Sequence, residues 1–165
     1  MSHTATSKEA SVAPRYLEDF AVGDRAETGR TIVTREMIEA FAELYDPQPM
    51  HLDETAAQGT VFGRLIGSGW QTLALTMRLM VDARFLGSTP IVGAEFKEMR
   101  FHAPMLPGDT LQANAEILAV RPSKSRPDRG FMDVRVTTKN AAGETRTRRR
   151  RRRARVPLIP VAFRS

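Results

Sequence analysis

The chain has 165 residues, 41% of them hydrophobic, which suits one domain around a single core rather than two independent ones. It has no cysteine and only three histidines, His3, His51 and His102, far apart in sequence; this excludes a disulfide framework, a thiolate metal site and a cysteine nucleophile, and makes metal-free chemistry the expectation. The formal net charge of +6 is local: six of the 25 Lys and Arg residues form an unbroken run at 148–153, and the remainder balance the 19 Asp and Glu.

In chain order, residues 1–14 are small and polar with no apolar run, so they are read as a flexible leader, neither a secretory signal nor an anchor. No later apolar stretch approaches the roughly 20 residues of a membrane helix, and a cytoplasmic protein without a membrane partner is expected. Thr34 can cap a helix in which Met37, Ile38, Phe41 and Leu44 recur at helical spacing, and Pro47 and Pro49 stop it. Asp46 then falls where helix gives way to loop. Asp53 and Glu54 favour the start of a short helix. Glycines at 59, 63 and 67 mark a close-packed loop; no Gly-Lys-Ser/Thr follows to make it a phosphate loop. A second helix is expected over about 69–85, with Trp70, Leu73, Ala74, Met77, Met80, Val81 and Phe85 as its core stripe and Gln71, Arg78 and Asp82 on the outer side.

From residue 91 the period changes from helical to alternating. Met99, Phe101 and Ala103 alternate with Arg100 and His102, and Leu111, Ala113, Ala115, Ile117 and Ala119 alternate with polar residues, with Pro107-Gly108-Asp109 as the turn between two strands. A third strand is expected at 131–138 and a fourth after Ala142-Gly143. Helices first and antiparallel strands after them indicate an α+β domain over 15–147, a curled antiparallel sheet around one long central helix. Residues 148–165 form an Arg-rich C-terminal segment, either the last strand or a tail.

The sharpest feature is Tyr45-Asp46-Pro47-Gln48-Pro49-Met50-His51, followed by Phe62-Gly63-Arg64-Leu65-Ile66-Gly67-Ser68-Gly69. Two prolines stiffen the backbone between a carboxylate and an imidazole, so both can be aimed at one water with little entropy left to lose. Asp46 can take a proton from that water and His51 can orient it, which is the acid and base arrangement that hydration needs. Gly69 opens the apolar helix, where free N–H groups and the positive end of the helix dipole suit the enolate oxygen of an α,β-unsaturated thioester, and the missing Cβ permits close approach. Ser68 reads as the helix cap rather than a nucleophile, since no histidine stands in a triad-like setting.

These segments resemble the MaoC-like dehydratases, the (R)-specific enoyl-CoA hydratase group of hot-dog proteins. Their motif runs carboxylate, any residue, Asn, Pro, any residue, His, with a Phe-Gly and a helix-opening Gly further on. The segment from Phe101 to Leu111 resembles that family's strand-turn-strand, so the resemblance spans roughly 16–140. It implies a hot-dog fold, Asp46 and His51 as the catalytic pair, the Gly69 amide as the thioester donor, and Ser68, Gln48 and Trp70 beside it in the substrate-binding set. It also implies an acyl-CoA substrate with no cofactor beyond the coenzyme A carrier, and a homodimer or higher homo-oligomer. Four features depart from the pattern: Gln48 stands where Asn is usual, Tyr45 replaces a small residue, Trp70 adds bulk beside the acyl pocket, and arginines fill 148–153 where the last strand should alternate.

The alternatives are a hot-dog acyl-CoA thioesterase, in which water attacks the carbonyl instead of the β-carbon, and a non-catalytic acyl-CoA-binding subunit. Nucleic acid is disfavoured, because no aromatic residues interleave the arginine run. Solvated disorder is the first reading of that run, contact with coenzyme A phosphates the second.

Overall fold

The computed structural model describes residues 12–90, 92–93, 95–96, 98–147 and 159–162; for 147 and 159–162 the backbone alone is described. The leader, apart from its last three residues, and the arginine run lie outside them.

An antiparallel sheet is built from β1 (Arg25–Ile32), β2 (Thr110–Pro122), β3 (Arg129–Lys139) and β4 (Thr145–Thr147) in that order, and β5 (Ile159–Ala162) also pairs with β3. In β2 the expected alternation holds as far as Ile117: Leu111, Ala113, Ala115 and Ile117 are buried and the residues between them are not, but a register shift after Ile117 leaves Ala119 only partly buried. Pairing of Ala115 with Val136 and Ile117 with Val134 continues the same apolar face into β3. Gly108 and Gly143 hold the two turns at φ 85 and φ 80, in the left-handed region that glycine tolerates. β1 gave no sequence signal, because RAETGRTI has too few apolar residues to alternate. Its bulge between Glu27 and Arg30 is closed by the Thr28 hydroxyl, which accepts from the Ala113 N–H at 2.9 Å.

The helices are α1 (Arg35–Tyr45), α2 (Pro49–Leu52), α3 (Glu54–Gln58) and α4 (Gly69–Asp82). Thr34 caps α1 by accepting from the Met37 N–H at 3.2 Å, and Asp53 caps α3 by accepting from Ala56 at 2.6 Å. α4 lies across the sheet, its far end packed with Phe20, Ile117, Met132 and Val134 and its near side with Leu65, Met105 and Leu111.

Two expectations fail. First, the core face of α4 is not the Trp70–Val81 stripe: Gln71, Thr72, Thr76, Leu79 and Met80 are buried, while Trp70 is 64% exposed and Met77 and Val81 are also exposed. Most of the buried polar groups find partners, although Gln71 Oε1 has none among the described residues. Thr72 donates to Ser68 O, Thr76 to Thr72 O and Gln71 to Met37 O, and the Thr76 and Thr138 hydroxyls meet at 2.7 Å, so threonine packs here as a β-branched filler. Arg78 and Asp82 do face outward, paired at 2.7 Å, and Met80 and Phe85 are core as expected. Second, residues 99–103 form no strand, and Met99 and Phe101 are exposed. The only backbone bond tying His102 is its N–H to Arg146 O at 3.1 Å, among the described residues.

Candidate functional site

Asp46 is the C-cap of α1, its N–H returned to Ala42 O at 2.9 Å, and the chain then turns tightly. Gln48 N–H donates to Asp46 O at 2.7 Å, and His51 N–H donates to Gln48 O at 2.9 Å. Pro49 starts α2 at its first position, where a missing N–H costs nothing, and this single helical turn swings His51 back toward Asp46. His51 lies in this helical turn and is 3% exposed.

His51 Nδ1 is 2.7 Å from Ile66 O. A carbonyl can only accept, so Nδ1 carries the proton, and in the neutral ring Nε2 is an acceptor. That Nε2 lies 3.4 Å from Asp46 Oδ2. An imidazole lone pair and a carboxylate oxygen at this separation need hydrogens between them, either from protonation of the ring or from a molecule that donates to both.

Two further donors hold the carboxylate. The Ser68 hydroxyl, first, and the Gln48 amide, 2.7 Å from Oδ1, hold Asp46 below its ordinary pKa of 3.8; burial opposes them, and His51 adds a smaller pull in their direction. Ser68 also caps α4, accepting from Trp70 N–H at 3.1 Å, which bears out the capping role. One hydroxyl thus joins the helix N-terminus to the carboxylate, and the helix dipole favours the anion.

Gly69 follows directly, and no hydrogen bond engages its N–H among the described residues. Its lack of a side chain has a reason that the sequence did not disclose: a Cβ there would lie 2.9 Å from Phe101 Cζ, because the aromatic ring covers that face. Phe101 is therefore a site residue that alternation alone assigned to the core. Gly67 is equally constrained, since a Cβ would overlap the Met105 methyl group. Gln48 sits on the carboxylate, whereas the Trp70 indole points away from packed surroundings into the open. No group of three His, Cys, Asp or Glu that could hold a metal occurs among the described residues, and none of their helices is long and apolar enough to cross a membrane.

The chain is 35% identical over 124 residues to the uncharacterized protein YdeM of Bacillus subtilis, covering 75% of this chain and 86% of that one. It is 32% identical over 117 residues to the (R)-specific enoyl-CoA hydratase of Rhodospirillum rubrum, covering 66% and 74% of the two chains. Among solved structures, the MaoC-like dehydratase from Rhodospirillum rubrum superposes with a TM-score of 0.78 at 42% identity, over 91% of this chain and 98% of that one. The (R)-hydratase of A. caviae shares the hot-dog fold at a TM-score of 0.64 and 22% identity, over 88% and 98%. The MaoC like domain model matches residues 17–140, a span that contains the Asp46–His51 turn, the Ser68-Gly69 helix start and β1 to β3, and the chain belongs to that family of hot-dog dehydratases.

Proposed function

We propose that the protein is a hydratase, or in the reverse direction a dehydratase, that interconverts a trans-2-enoyl-CoA and a 3-hydroxyacyl-CoA. The observation that carries this reading is the pair of acceptors, Asp46 Oδ2 and His51 Nε2, facing each other at 3.4 Å with the imidazole tautomer fixed by Ile66 O. A water donating one hydrogen to each satisfies both and leaves its oxygen lone pairs free for attack.

In the forward reaction the water oxygen bonds to the β-carbon, and one O–H bond breaks toward Asp46. The Cα=Cβ electron pair moves onto the thioester as an enolate, and the proton held by the Asp46/His51 pair is returned to the α-carbon. The Gly69 N–H, beside Ser68 and at the positive end of α4, is the donor for the enolate oxygen. Ser68 and Gln48 keep Asp46 ionised and oriented. Phe101 covers Gly69 in space and the exposed Trp70 follows it in sequence, and both support an apolar surface for the acyl chain. No step requires a metal or a cofactor beyond the coenzyme A carrier. The relative named (R)-specific enoyl-CoA hydratase supports this substrate class.

The open stripe of α4, with Trp70, Met77 and Val81, adjoins exposed Phe101, and supports a homodimer or a multiple of it, since monomers rarely leave such a surface wet. A cytoplasmic place of action belongs to the same reading. The test is hydration of crotonyl-CoA by the purified protein, followed as loss of enoyl-thioester absorbance, with thiol release monitored in parallel. Absorbance loss without thiol release is expected; thiol release alone assigns a thioesterase, and neither assigns a binding subunit.

A further inference from the structure

Gln48 is held more rigidly than an exposed side chain in a turn usually is. Prolines stand on both sides of it, its N–H donates to Asp46 O at 2.7 Å, and its C=O accepts from His51 N–H at 2.9 Å. Its backbone is thus clamped between the two residues of the pair, and its side-chain amide reaches back over Pro47 to Asp46 Oδ1 at 2.7 Å. The opposite oxygen, Oδ2, is the one that faces His51.

We infer that Gln48 is a positioning residue that occupies Oδ1 of Asp46 and so keeps Oδ2 turned toward His51 and the water. This assignment rests on the hydratase reading and replaces a direct substrate contact for Gln48. A rotating carboxylate would present either oxygen to His51; an amide fixed on one of them selects a single orientation, and orientation of a base contributes to rate in proportion to how often it is correct. The same donor favours the ionised form, in the direction in which Asp46 is shifted. The charged groups around Asp46 are few. His51 faces it from α2, the first turn of α4 is uncharged, and Glu43 and Tyr45 on α1 are exposed. A Gln48 substitution is therefore read by Asp46 with little interference.

The test compares Gln48→Met, which keeps the length and removes the donor, with Gln48→Asn, which keeps a donor on a shorter stem. Loss of the donor lets the Asp46 pKa rise toward its ordinary value, so the acid limb of kcat/KM should move to higher pH. Plateau kcat should fall several-fold with KM within about twofold, and Gln48→Asn should lie between Gln48→Met and wild type. A carbon-13 NMR titration of the Asp46 carboxyl should show the same upward shift with no turnover involved. An unmoved acid limb and an unmoved carboxyl titration overturn the inference, as does a raised KM with the limb in place, which makes Gln48 a substrate contact. Wild-type protein without hydration activity instead overturns the hydratase reading and removes any role for Gln48 in turnover. The titration separates the two failures. Both variants should keep the wild-type circular dichroism spectrum, because the side chain is exposed and outside the core.

Discussion

Replacing Asp46 with asparagine changes a single atom, yet in this site its effect is twofold. The variant amide can keep its oxygen toward the Gln48 amide, which donates to Oδ1 at 2.7 Å, and turn its NH2 toward His51 Nε2, 3.4 Å from Oδ2 in the native site. Both neighbours are then satisfied without a bridging water, so the substitution removes the base and also closes the place where the water is held. Loss of general base catalysis costs roughly 10²–10⁴-fold, and turnover of crotonyl-CoA by Asp46→Asn should fall within that range. Stability should change by less than about 2 kcal/mol, because the shape and one of the accepted bonds survive. His51→Ala should lose a comparable factor, and the double variant should fall short of the product of the two, since both residues act on one water. The carboxylate also sets a pH signature. Its folded pKa is depressed, so its contribution to stability is present above the ordinary value of 3.8 and is lost as pH falls through the lower folded value. The wild type should therefore lose its thermal advantage over Asp46→Asn below about pH 4. Near-native turnover in a well-folded Asp46→Asn protein would refute the mechanism outright.

Ser68→Ala removes both the cap on α4 and the foremost donor to Asp46. It should cost about 1 kcal/mol in stability, as cap losses do, and move the acid limb of kcat/KM upward. A lowered melting temperature with an unmoved acid limb would reduce Ser68 to a cap alone. Gly69→Ala should strain the Phe101 ring, 2.9 Å from the new methyl group, and lower stability by about 1–3 kcal/mol. In Gly69→Ala/Phe101→Ala the strain is relieved, and thermal melts should show the double variant less destabilised than the sum of the single ones. Met77→Glu with Val81→Glu puts charge on the open face of α4 and should yield monomers by light scattering at micromolar concentration. An unchanged oligomer would place the contact elsewhere.

The sequence by itself determined that α1 and α4 are followed by the strands β2 and β3, though not that β1 precedes them all, and it determined the caps at Thr34, Asp53 and Ser68, the turns at Gly108 and Gly143, and the Asp46/His51 pair. Each of these is local chemistry. A capping hydroxyl, a left-handed turn and a proline frame act on neighbours within a few residues, so their requirements are written where they are met. Only the tertiary structure decided the rest. β1 is a strand because β2 offers it an edge, not because RAETGRTI alternates. The face of α4 that meets the sheet is the one whose threonines and Gln71 find partners in Thr138 and Met37, which no periodicity of apolar residues could reveal. The more hydrophobic stripe, with Trp70, Met77 and Val81, stays open among the described residues. Phe101 and Gly69 are 32 positions apart, and their contact exists only once the segment after α4 folds back over the start of that helix. Pairings of this kind depend on long-range closure of the chain, and a sequence read in short windows does not contain them.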